Sequence, residues 1–290
     1  MIDTHIHLDA DQYAAPDQVI ARARAAGVRG VVVPGVGPAS NRRVLALAAR
    51  HPGFVHPAFG FHPEAYDLTG ADLELTLAQI RDHHGDLRAI GEIGLPWYGD
   101  RARAATPAAR DHLAQLARAA VRFDLALILH APHAAAGAAF EIVRAAGVRR
   151  AIFHWHKAEP AVTAAIVDAG YMISLTPEAV YRDRDQQLAR IVPLSSMVVE
   201  TDGPAPHRGP FSGCLTEPWM LARAIEAIAL IVGETAASVR AVTTANAIAA
   251  LRLRPAATRP IFLPAPLLPS LRAALNLIPT PSRAERRRGA

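Results

Sequence analysis

From its first residue to about residue 253 the chain alternates strand-length apolar runs with helix-length amphipathic ones. Residues 16–27 open on Pro16 and Asp17, good first-turn residues, and stop at Gly27, the pattern of a helix. Val28 to Pro34 is apolar and β-branched, the mark of a strand buried on both faces. The pair then recurs. Helices fit 39–51, 71–83, 106–123, 134–147 and 159–169, a helical segment 178–191, and a last helical pair about 215–232 and 235–251. Strands fit 54–60, 87–92, 125–130, 150–155, 171–175 and 197–201. With a short strand at the N-terminus this makes eight strands joined by helical crossovers, which predicts an α/β fold, a single (β/α)8 TIM barrel. An open doubly wound sheet would also alternate, but the chain has no Gly-x-Gly-x-x-Gly turn, no phosphate-cradling Gly-Lys-Thr loop and no internal repeat.

Such a barrel needs about 250 residues, so the 290 present divide into a barrel at 1–253 and a C-terminal extension at 254–290. The extension is Pro- and Arg-rich: seven prolines from Pro255 to Pro281 forbid a long helix, although Leu267 to Leu277 could form a short apolar one. It is expected to be poorly ordered. It also holds seven arginines against Glu285, more than the whole excess of +5, so residues 1–253 are slightly acidic and bulk charge is no argument for nucleic-acid binding by the barrel. No apolar run approaches the ~18 residues of a membrane span. A single cysteine, Cys214, excludes an intramolecular disulfide and a cysteine metal cluster. With a chemistry-bearing residue already at position 5, no export signal is expected, and a cytoplasmic monomer is the expectation.

On this map the polar residues of buried type fall at strand ends. His5 and His7 alternate on one face of the first strand, about 6.6 Å apart along it. Glu92 ends strand four, His130 strand five, His154 strand six, and Asp202 follows strand eight. Singly, a strand-end His or Asp is more often a satisfied core or capping residue than a ligand. In a TIM barrel, however, the C-terminal strand ends build one pocket, so all six converge. Imidazole plus carboxylate without thiolate suits Zn²⁺, Mn²⁺, Co²⁺ or Fe²⁺, and carboxylate-rich sites also take Mg²⁺. Six ligands exceed one tetrahedral ion, which points to two divalent metal ions about 3.5–4 Å apart, with Glu92 as the bridge and an activated water between them.

The segments Ile2-Asp3-Thr4-His5-Ile6-His7-Leu8-Asp9, Gly60-Phe61-His62-Pro63, Ala89-Ile90-Gly91-Glu92-Ile93-Gly94-Leu95, Ile128-Leu129-His130 and Val199-Glu200-Thr201-Asp202-Gly203-Pro204 resemble those of the TatD family of metal-dependent hydrolases. The resemblance runs from residue 1 to about 253. It implies a TIM barrel of the amidohydrolase kind and, as in characterised members, a phosphodiester-cleaving deoxyribonuclease, often a 3′ to 5′ exonuclease. By position it implies that His5, His7, Glu92 and Asp202 hold one metal and Glu92, His130 and His154 the other. Asp202 would also orient or deprotonate the attacking water. The chain departs from the family at Gly94-Leu95-Pro96-Trp97-Tyr98, where many members continue Gly-Leu-Asp, and at His154-Trp155-His156-Lys157, where they have Cys-Phe-Ser/Thr-Gly after the histidine.

These departures bear on substrate. His62 could donate to a substrate phosphate, or be a loop histidine held by Pro63. His156 and Lys157 could neutralise an anionic substrate, or cap helix 159–169. Trp97, Tyr98 and Trp155 could offer a face for a base to stack on, or pack under a loop. Arg182, Arg184, His207 and Arg208 follow strands seven and eight, where barrels often hold phosphate, although exposed arginines are usually just solvated. The expected substrate is DNA or a small phosphodiester or ester. Two alternatives are a hydrolase of a small amide, lactone or ester, and a non-catalytic binding module, against which the complete ligand ring argues.

Overall fold

A computed structural model describes residues 1–65, 67–99 and 106–253; the 254–290 extension, with its expected disorder and its short helix, lies outside the described residues. Eight parallel strands follow one another in sheet order as in chain order, β1 (Ile2–Asp3), β2 (Gly30–Pro34), β3 (Val55–Phe59), β4 (Ala89–Gly94), β5 (Ala126–His130), β6 (Ala151–Phe153), β7 (Met172–Leu175) and β8 (Met197–Val199). Helices α1 (Pro16–Ala25), α2 (Pro38–Arg50), α3 (Gly70–His83), α4 (Pro107–Phe123), α5 (Ala135–Ala145), α6 (Pro160–Asp168), α7 (Asp183–Ile191) and α8 (Leu221–Val232) alternate with them, and α9 (Ala236–Leu251) ends the described chain. This is the expected TIM barrel.

Several helix starts are written in the sequence. Pro stands in the first turn of α1, α2, α4 and α6, where its missing N–H costs no hydrogen bond. Thr106 and Thr235 accept from Ala109 and Ser238 to cap α4 and α9. The segment expected at 178–191 divides into a 3-10 turn, Pro177–Val180, and α7.

Strand alternation divides the interior into two cores. Ile2, Val32, Ala58, Ala89, Ala126, Ile128, Ile152 and Val198 pack with Ala247, Ala250 and Leu251 of α9, whereas Val31, Val33, Ile90, Leu127, Leu129 and Phe153 join the core shared with the surrounding helices. The small residues in the first group suit the narrow interior.

The strands are shorter than expected at the functional end. β1 stops at Asp3, so His5 and His7 lie beyond it rather than within it, and β6 and β8 stop before His154 and Asp202. Glu92 differs the other way. β4 continues to Gly94, and its register against β5 shifts between Ile90 and Ile93. The backbone of Glu92 then bonds its other neighbours: its N–H donates to the Gly35 carbonyl at 3.0 Å and its carbonyl accepts from Phe61 N–H at 3.1 Å. This crossing of β2, β3 and β4 depends on Gly60, where an added Cβ would stand 2.2 Å from the Gly35 oxygen and 2.3 Å from the Glu92 nitrogen. Asn41 of α2 fixes Gly60 from outside, accepting its N–H at 3.0 Å and donating to its carbonyl at 3.2 Å.

Because these obstacles are backbone atoms, Gly60→Ala should destabilise the fold by about 1–3 kcal/mol, the usual cost of overpacking, and should disturb Glu92. Urea denaturation checks this; an unchanged midpoint would show that the three strands can move apart.

Candidate active site at the strand ends

The Glu92 carboxylate is 2% exposed and each of its oxygens faces a different group. Oε2 lies 3.2 Å from His5 Nε2 and 3.1 Å from His7 Nε2, with Asp202 Oδ1 3.4 and 3.7 Å from the same two nitrogens. Oε1 lies 2.7 Å from His154 Nε2, 2.8 Å from His130 Nδ1 and 3.1 Å from His62 Nε2. All six expected ligand residues are therefore brought together, and His62 joins them.

The spacing suits divalent ions. His5 Nε2 and His7 Nε2 approach to 3.1 Å, closer than two lone-pair-bearing nitrogens settle unless a proton or a cation lies between them. Tetrahedral bonds of about 2.0–2.1 Å would hold such donors about 3.3 Å apart. Three of the far ring nitrogens also face an oxygen, the placement metal ligands require, while His5 Nδ1 has no hydrogen-bond partner among the described residues. His7 Nδ1 is 3.1 Å from the Pro34 carbonyl, His154 Nδ1 3.4 Å from Glu200 Oε1 and His130 Nε2 3.4 Å from Glu64 Oε1, so each ring can keep its proton outside and a lone pair inside.

His62 is turned the other way. Its Nδ1 accepts the Glu64 N–H at 3.1 Å, which leaves the proton of the neutral ring on Nε2, facing Glu92. That makes it a hydrogen-bond donor to the site.

The charges respond to this crowding. Burial alone would raise the Glu92 carboxyl, but the imidazoles of His62, His154 and His5 and the hydrogen bond from His130 hold it well below the carboxylate range. Burial pushes Asp202 up to about 7, against the pull of His154. Burial drives His5 down to about 4; at His7 burial is outweighed by the Glu92 hydrogen bond and charge, which raise it to about 9. Asp202 also has a left-handed backbone, φ 52°, a conformation costing about 1–2 kcal/mol outside glycine and kept where surrounding contacts over-determine it.

The site opens into a cavity of about 540 Å³ whose walls include His62, Tyr98, Trp155, Lys157, Glu178 and Arg182. Glu64 anchors its β4–α4 side: the carboxylate accepts the N–H groups of Trp97, of Tyr98 at 2.7 Å and of Gly99 at 3.1 Å. On the β6 side the Trp155 N–H donates to Glu200 at 2.6 Å and its indole N–H to Glu178 at 2.9 Å. Lys157 donates to Tyr98 Oη at 2.7 Å. Two residues expected to contact substrate are placed elsewhere. His156 is buried with Nε2 2.9 Å from Thr163 Oγ1 of α6, its alternative place at that helix. Trp97 is partly buried against the core, and its neighbour Tyr98 lines the cavity in its stead.

A barrel with such a ring at its strand ends is of the metal-dependent hydrolase class. The chain belongs to the family of TatD related DNases, whose family model matches residues 2–252. It is 29% identical over 258 residues to human deoxyribonuclease TATDN3, covering 86% of this chain and 93% of that protein. To the metal-dependent hydrolase TatD of Mycobacterium tuberculosis it is 32% identical over 262 residues, covering 85% and 96%. The fold is similar to the crystal structure of YjjV, a TatD homologue from Escherichia coli, with a TM-score of 0.79 at 24% identity over 88% of this chain and 98% of that one.

Glu64→Ala should free the loop at 97–99. Loss of a carboxylate acceptor is worth roughly 1.5–3 kcal/mol per charged hydrogen bond, so exchange of the Tyr98 and Gly99 amides should accelerate at least about 10-fold. Unchanged exchange would mean that the loop is held by other contacts.

Proposed function

We propose that this protein is a divalent-metal-dependent deoxyribonuclease that hydrolyses phosphodiester bonds, acting as a cytoplasmic monomer. The observation that carries it is the divided Glu92 carboxylate: Oε2 with His5 and His7, whose nitrogens also face Asp202, and Oε1 with His130, His154 and the donor His62. Two sets joined by one carboxylate suit two ions, with His5, His7, Glu92 and Asp202 around one and Glu92, His130 and His154 around the other. Zn²⁺, Mn²⁺ and Mg²⁺ are the candidates. Bound there, the ions would supply Lewis acidity and a water acidic near neutral pH.

The chain's own groups supply the rest. Asp202 holds and deprotonates the attacking water at its carboxylate. His62, fixed as a donor at Nε2, gives its proton in a hydrogen bond to a non-bridging phosphate oxygen of the substrate. The relatives' names support a nuclease, and the cavity-wall cations with no carboxylate in direct contact among the described residues, Lys157 and Arg208, favour a polyanion over a neutral lactone or amide.

The test is metal-stripped protein reloaded with Mg²⁺, Mn²⁺ or Zn²⁺ and offered end-labelled single-stranded DNA beside a small lactone. Stepwise shortening that stops on chelation is expected. Turnover of the lactone alone would overturn the nuclease reading. Glu92→Ala should abolish activity and metal retention while the circular dichroism of the fold persists. Stripping should also lower the melting temperature, by about 5–10 °C if binding contributes about 2.7 kcal/mol.

His130→Ala should lose metal along with activity. His62→Ala should retain metal and lose about 10–100-fold in turnover, the worth of one hydrogen bond to charge. Elemental analysis beside kinetics separates the two; metal loss in the His62 variant would make it a ligand.

Metal affinity should fall with pH. His7, near 9, and Asp202, near 7, both gain protons as pH drops, and protonated groups cannot ligate. Below neutrality each competing proton should weaken binding by up to about 10-fold per pH unit. Competition with a chelator of known pH dependence measures it, and a flat profile would exclude both residues as ligands.

A further inference from the structure

Beside the Glu92 cluster the cavity holds a second group of polar side chains around Lys157, the only lysine in the chain. Its ammonium lies 3.9 Å from the centre of the Trp155 ring and 5.2 Å from that of Tyr98. Trp155 is held at both its backbone and its indole nitrogen, so the platform beneath the ammonium is fixed. Among the described residues no carboxylate comes within 4.0 Å of Lys157. Glu178, on the same wall, is already engaged by the Trp155 indole, by Arg182 and by Arg184 at 2.6 Å.

A partly buried cation without a carboxylate in direct contact is costly unless something else completes it. Burial, with Arg184 adding to it, has pushed Lys157 down to about 8 against the pull of Glu178, Asp202 and Asp185. Only one of its three N–H donors is used, on Tyr98 Oη. Tyr98, accepting there, keeps its own O–H proton to donate. The ammonium and the phenol thus offer neighbouring donors on one wall of the cavity. Their position adjoins the Glu92 cluster, for the Tyr98 ring stands 6.0 Å from the ring of His130. An acceptor-only, charged and multidentate ligand fits it, and in a nucleotide chain such a group recurs one nucleoside away from the bond being cut.

We propose that Lys157 and Tyr98 form a second phosphate subsite that takes the phosphate neighbouring the scissile one, an assignment that rests on the phosphodiesterase reading for its substrate class. Its effect is to favour substrates with two consecutive phosphates over those with a single one. Lys157 is then a specificity determinant, separate from the groups around Glu92.

Thymidine 3′,5′-bisphosphate carries two phosphates one nucleoside apart, and thymidine 5′- and 3′-monophosphate carry one each. With metal-loaded, full-length protein labelled with ¹³C at lysine, Lys157 gives a single ε-methylene signal. The expected result is that the bisphosphate shifts this signal and binds about 10–100-fold more tightly than either monophosphate, the worth of one charge-assisted hydrogen bond. Lys157→Gln should remove that advantage with metal content unchanged, and Lys157→Arg should keep most of it. Equal affinities in the wild type, a stationary lysine signal, or a Lys157→Gln protein that keeps the advantage would each overturn the subsite. The nuclease reading fails by a different result, wild-type protein that leaves single-stranded DNA intact. DNA shortening together with equal affinities would sink the subsite alone.

Discussion

One buried carboxylate organises the functional end of this barrel. Glu92 presents one oxygen to the histidines after β1 and the other to those after β3, β5 and β6, and no flexible loop could keep five imidazoles at such distances. It can do so because its backbone is fixed by β2 and β3, through the Gly35 carbonyl and the Phe61 N–H. Gly60 allows that approach and Asn41 fixes Gly60, so a residue on a surrounding helix helps set the position of a carboxylate at the centre.

Around that carboxylate the remaining acids act as anchors. Glu64 gathers the loop at 97–99 and stands beside His130; Glu200 holds the backbone of Trp155 and stands beside His154. Each orders a cavity wall and the outer nitrogen of a histidine in the Glu92 cluster. Rigid walls then follow from the same contacts that fix ring orientation. On the cavity wall Glu178 is occupied by Arg182 and Arg184, while Lys157 is in direct contact with a phenol and two aromatic faces.

Much of this was legible in the sequence because strand ends are. The alternation of patterns located β2 to β8, and the type of residue following each apolar run located His130, His154 and Asp202. Glu92 was legible by type but not by position. A register shift inside β4 has no local sequence mark beyond its glycines, so the strand was read as ending where it turns. Glu64 and Glu200 carry no local mark because their partners lie far along the chain: Glu64 meets Tyr98, and Trp155 meets Glu200. For His62 a signal existed, since Glu64 stands two residues on and its N–H decides which ring nitrogen bears the proton. His156 and Lys157, read as a pair, separate because one turns towards Thr163 and the other towards the cavity.

The seam between β8 and β1 is closed by few contacts. Thr4 N–H donates to the Val199 carbonyl at 3.1 Å, Asp202 N–H to the His5 carbonyl at 2.8 Å, and the buried Asp3 carboxylate accepts from the backbone and hydroxyl of Thr201 at 3.0 and 2.6 Å. The same seam brings His5 and His7 to Asp202. During synthesis from the N-terminus, the first histidines to leave the ribosome must therefore wait for nearly two hundred further residues before their last neighbour arrives. Completion of the ring of side chains around Glu92 coincides with closure of the barrel.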